Sequence, residues 1–181
     1  MIVALTITEA LAEMKTLEAR KQKKREFVMS HLIRAEAIRD PLEKQGGCVE
    51  SVKRERQALK DLEERQIAIR SAIQKANHAT SITVEGQTRT IQEWLTWRKE
   101  VATGQKNFLA GLANGLKNYR AEQQKKGVVV VSASVGGAPE NAMIVSIDEG
   151  ELGAELEKME LVLGTLDGQL SLKNATITID V

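Results

Sequence analysis

Leu152, Leu156, Met159, Leu163, Leu166 and Leu170 follow one another in alternating steps of four and three residues. Only an α-helix gathers positions with that spacing into one stripe, so this stretch is predicted to be a helix that buries a single apolar seam against another helix. The same logic reaches back along the chain. Val52, Leu59, Gln66 and Ile73 are seven apart, and Leu62, Ile69 and Ala76 form the complementary series, an a/d seam with one polar position at Gln66. Leu95, Ala102, Leu109 and Leu116 repeat at seven, joined by Leu112 and Tyr119. At the N-terminal end Ile7, Leu11 and Met14 open a stripe that fades through the charged stretch 18–26 and returns as Val28, Leu32, Ala35 and Ile38.

Asp40-Pro41 and Gly46-Gly47 interrupt the pattern between the first two segments, as expected at the tip of a helical hairpin. The composition agrees: 28% charged, 3% aromatic and 2 prolines in 181 residues suit long solvent-washed helices better than a β-sandwich. Gly153, Gly164 and Gly168 sit inside the fourth seam, each costing about 1 kcal/mol against Ala, so packing must outweigh them. Gly111 and Gly115, four apart, could admit a close neighbouring helix.

Two short patterns recur. Thr6-Ile7-Thr8-Glu9-Ala10-Leu11 returns as Thr90-Ile91-Gln92-Glu93-Trp94-Leu95, each with the Thr-x-x-Glu spacing of a capping box that opens a helix. The Asn77–Val84 stretch returns as Asn174–Ile179, each closing a helix and running into an Ile/Thr alternation of period two, which reads as a strand. The unit is helix, turn, helix, strand, used twice. The offsets are 84 and 97 residues, so the second copy holds about 13 more, placed between its two helices. The segment between those helices contains Val128-Val129-Val130-Val131 and Met143–Ile147 around a Gly136-Gly137-Ala138-Pro139 loop, a β-ribbon insertion at about 127–148. It either folds back on the chain's own small sheet or pairs with a strand of another subunit. The expected fold is therefore mainly α: two antiparallel, coiled-coil-like helical hairpins, residues 1–86 and 87–181, with short β-strands and the ribbon.

Little in the chain points to chemistry. His31 and His78 have no second ligand at metal spacing, Cys48 has no basic cluster to activate it, and no nucleophile elbow or phosphate-binding glycine loop is present. The expectation is no catalytic, metal or cofactor site, and no enzyme. A single cysteine excludes an intrachain disulfide, and no apolar run approaches the ~20 residues of a membrane span. Neither a signal peptide nor a membrane contact is expected. Arg20, Lys21, Lys23, Lys24 and Arg25 form a basic run that could meet phosphates or an acidic partner, but Glu18 and Glu26 bracket it and the net charge is only +1. A solvated helix face is the plainer reading. The interface candidates are Trp94 and Trp97, of which the helical seam at Leu95 can absorb at most one, the valines 128–131, and Ile177 and Ile179 of the last strand.

The Thr-Ile-x-Glu-x-Leu opening of a charged helix, followed by a second helix ending in Asn-x-x-Thr and an Ile-Thr-Val strand, resembles small bacterial helical-hairpin proteins of the septicolysin-like type. Similar hairpins occur in small virion or assembly proteins of tailed bacteriophages. The resemblance spans about residues 5 to 110 and assigns no functional residue. It implies a non-catalytic structural or assembly protein, a self-associating virion component put together in the bacterial cytoplasm, with further copies and other structural proteins as partners. The alternative expectation is a cytoplasmic chaperone or adaptor whose basic helix faces hold an acidic partner or nucleic acid.

Overall fold

A computed structural model describes residues 4–132 and 139–181. The chain is mainly α. In order it forms β1 (Ala4–Thr6), α1 (Ile7–Ser30), α2 (Gly47–Ala79), β2 (Ser81–Val84), β3 (Gln87–Thr90), α3 (Ile91–Trp97), α4 (Thr103–Lys125), β4 (Val130–Ser132), β5 (Met143–Val145), α5 (Glu149–Thr176) and β6 (Thr178–Asp180). A π-helical turn, Arg98–Ala102, joins α3 to α4 without leaving helical backbone angles. The chain divides into two compact units: residues 1–79 with 171–181, and residues 80–170. The division thus falls a few residues before the expected boundary at 86, and the last strand belongs with the first hairpin.

In the first unit, Glu13 early in α1 pairs with Arg65, and Lys24 near its end pairs with Glu55, so α1 and α2 run antiparallel. Ile7, Ala10, Leu17, Ile69 and Ile179 are buried together, flanked by Met14, Leu62, Ile73 and Ala76 of the predicted seams. In the second unit, Arg98–Asp167, Lys106–Glu160 and Arg120–Glu149 pairs descend α5 as they ascend the π turn and α4, again antiparallel. Leu152, Leu166 and Leu170 are buried, as their spacing requires.

The two copies share their local construction. Thr6 and Thr90 each cap a helix in extended conformation. Each hydroxyl accepts from the Glu N–H three residues on, at 3.2 Å in both, and each threonine N–H donates to that Glu carboxylate at 2.8 Å. The strand before each capped helix pairs antiparallel with the strand that closes the other copy: Thr6 faces Thr178, Thr90 faces Ser81, Leu5 faces Ile179 and Arg89 faces Ile82. Even the joint repeats, Ile7 N–H donating to Ile177 O and Ile91 N–H to Thr80 O. The offset of 84 becomes 85 after the π turn, which carries one extra residue; with that shift buried Leu17 corresponds to buried Ala102. In the second helix, buried Ile69 corresponds to buried Leu166 at the offset of 97.

Three expectations change. The α1 stripe does not continue through Leu32, Ala35 and Ile38. The helix stops at Ser30, where the Ser30 hydroxyl and the His31 backbone and ring all engage the Phe27 carbonyl, and Leu32 and Ile38 are exposed. Among the described residues no small common sheet forms, and the strands make three separate pairs. Among the described residues the ribbon pairs with no further strand. Its two strands pair parallel with each other, Val130 opposite Met143, rather than as a hairpin. The parts of the predicted ribbon at 133–138, including Gly136 and Gly137, lie outside the described residues.

Candidate interaction site

The two tryptophans part as the seam at Leu95 demands. Trp94 is buried, its indole N–H donating to Ile82 O at 3.2 Å, and is therefore a core residue rather than an exposed anchor. Trp97 is half-buried and meets it edge to face, ring centroids 5.5 Å apart. The Arg89 guanidinium lies over Trp94 at 4.9 Å from the ring centre, within cation–π range.

These groups line one side of a cleft of about 510 Å³ in the second unit, between the β2–β3 turn, α3, α4 and α5. Val84, Leu109, Met159 and Val162 give it an apolar floor, and Phe108, 66% exposed, forms an aromatic wall. Glu85, Arg89, Glu155 and Lys158 stand around it, two charges of each sign, and none of the four has an ion-pair partner among the described residues. An apolar, aromatic-walled hollow with mixed-sign polar margins suits a neutral, partly apolar occupant.

Part of the basic run faces α2. Lys21 is buried, its ammonium donating to Gln66 Oε1 at 2.6 Å and pairing with Glu18 at 2.7 Å. The single polar position in the α2 seam thus receives the single buried lysine. Lys24 pairs with Glu55 at 2.6 Å and Arg25 with Glu63 at 3.1 Å. Arg20, Lys23 and Arg25 are exposed, and Arg25 shares its charge with Glu63.

The tip of the first hairpin has its own geometry. Asp40 accepts from the Leu42 N–H and the Cys48 N–H, each at 2.8 Å, and from the Cys48 thiol at 2.9 Å. Those bonds hold its carboxyl down at about 2 and push the Cys48 thiol upward, the opposite of an activated nucleophile. His31 stacks on Phe27, and His78 stands exposed in the last turn of α2. Around this tip Met29, Leu32, Ile33, Ile38 and Val49 are all more than half exposed, Ile33 at 89%.

Of the strand candidates, Ile179 is buried against Ile7 and Ile177 is half-buried beside it, so the last strand is paired on one side with this chain's own β1 and these two side chains pack into its core. Val128, Val130 and Val131 are half-buried, whereas Val129 is exposed, together with Met143 and Ile144. Sequence reasoning singled out the valines but not Ile144, and it named Trp97 but not the cleft that Phe108 completes. Among the described residues no cluster of His, Cys, Asp and Glu is placed to hold a metal ion, and no helix is long and apolar enough to cross a membrane. Comparison with family models, curated proteins and solved structures finds no match to the chain.

Proposed function

We propose that this protein is a non-catalytic building block that assembles with further copies of itself through apolar and strand interfaces. The setting that fits the phage-like resemblance of its hairpins is a bacteriophage particle assembled in a bacterial cytoplasm. The observation that carries the reading is the β4–β5 ribbon. Parallel strands are ordinarily found inside larger sheets covered on both faces, and two strands alone are marginal in water. Here, among the described residues, a parallel pair stands as its own sheet and exposes Val129, Met143 and Ile144. Such an edge is a template for a strand from a neighbour. The adaptor reading has less support, because Lys21, Lys24 and Arg25 are engaged by residues of the same hairpin.

Ile144→Lys tests it. At 64% exposure the side chain can be replaced with little cost to folding, while a charge on the edge opposes strand addition. The expected result is a lower mass by light scattering at each protein concentration, with an unchanged circular dichroism spectrum. An unchanged concentration dependence would remove the strand interface from the account.

A further inference from the structure

The two copies place different residues at equivalent positions of the same hairpin face. Glu13 and Arg65, which close the first copy's face with an ion pair at 2.9 Å, correspond to Trp97 and Val162. Exposed Lys23 corresponds to exposed Phe108. The first unit folds with charges there, so the fold itself does not call for aromatic residues. In the second unit they form the cleft, and at 66% exposure Phe108 contributes little to its own unit's core.

We infer that this cleft is a socket for residues 31–46 of another copy of the chain; the inference rests on the self-assembly reading above. That segment is a 16-residue connection between α1 and α2, long for a helical hairpin, with only a short 3-10 turn at Glu43–Gln45. It holds Leu32, Ile33 and Ile38 in the open. Its charges balance, three cations against three carboxylates, as do the four around the cleft. A strongly acidic or basic occupant would meet a like charge at the cleft margin, whereas a neutral segment with apolar tips meets none that its own mixed charges cannot face. Plug and socket are both uncovered within one chain, Ile33 at 89% and Phe108 at 66% exposure. A contact between different surfaces of two copies is head-to-tail, and it closes as a ring or extends as a filament.

The test uses the whole 181-residue chain carrying Ile144→Lys, so that strand addition is silent. Ile33→Asp disables the plug and Phe108→Asp the socket, each at an exposed position; circular dichroism confirms that both fold. The Ile144→Lys protein is expected to grow in mass with concentration, and each added substitution to hold it at the monomer mass of 19.9 kDa. An equimolar mixture of the two variants retains one intact plug and one intact socket, and is expected to form a species of twice the chain mass that grows no further. A mixture that stays monomeric overturns the proposal, as does a single variant that assembles like its parent, or an Ile144→Lys protein that is monomeric throughout. If Ile144→Lys leaves assembly unchanged from wild type, the strand reading fails while the plug-and-socket comparison is read as before.

Discussion

Lys21 shows how one polar side chain fixes a helix pair. An ammonium in a seam is costly unless its donors are met, and Gln66 and Glu18 meet them. Gln66→Leu is expected to destabilise the protein by about 1–3 kcal/mol in urea unfolding, because it leaves a buried charge short of an acceptor. Adding Lys21→Met should recover most of that loss, since removing both partners leaves an ordinary apolar seam. Asp40 predicts a pH effect of definite sign. Its folded pKa, about 2, lies below the ordinary aspartate value near 3.9, so its contribution is complete above about pH 4 and is lost as the pH falls toward 2. The difference in melting temperature between wild type and Asp40→Asn should therefore be constant near neutrality and shrink across pH 4 to 2. A gap that widened there would contradict the three hydrogen bonds assigned to that carboxylate.

At the scale of elements, α2, the α3–α4 stretch and α5 were legible because a period of seven survives in Val52–Ile73, Leu95–Leu116 and Leu152–Leu170, and the starts of α1 and α3 because Thr-x-x-Glu is the spacing of a capping box. The end of α1 was not legible. Leu32, Ala35 and Ile38 keep helical spacing, but Leu32 and Ile38 are exposed, and spacing alone does not reveal that a stripe lacks a partner. The cleft was hidden for a related reason. Its faces come from four elements, and Phe108 lines up with Lys23 between copies only when the extra residue of the π turn is known. The helical glycines mark a further difference. A Cβ at Gly111, Gly115, Gly153, Gly164 or Gly168 would meet nothing within 4 Å, so none of them serves a close approach. Each Gly→Ala replacement is expected to stabilise by about 0.5–1 kcal/mol, seen as a raised urea midpoint with unchanged slope.

At the scale of the whole molecule, the two copies depend on each other through their strands, since each capped helix begins on a strand paired with the strand that ends the other copy. Ile179, at the C-terminal end, therefore belongs to the core around Ile7. Ile179→Ala is expected to cost about 2–5 kcal/mol and to speed amide exchange in α1 and α2, whereas Ile82→Ala, at the equivalent position, should act on α3 and α5. The same economy of construction leaves apolar side chains uncovered at the hairpin tip, the cleft and the ribbon. The central claim is that other copies cover them. Light scattering on the unmodified protein, over a range of protein and salt concentrations, tests it most directly. The account predicts a mass that rises from 19.9 kDa with concentration and persists in high salt, because the contacts are apolar and strand-borne. A mass of 19.9 kDa at every concentration would contradict it.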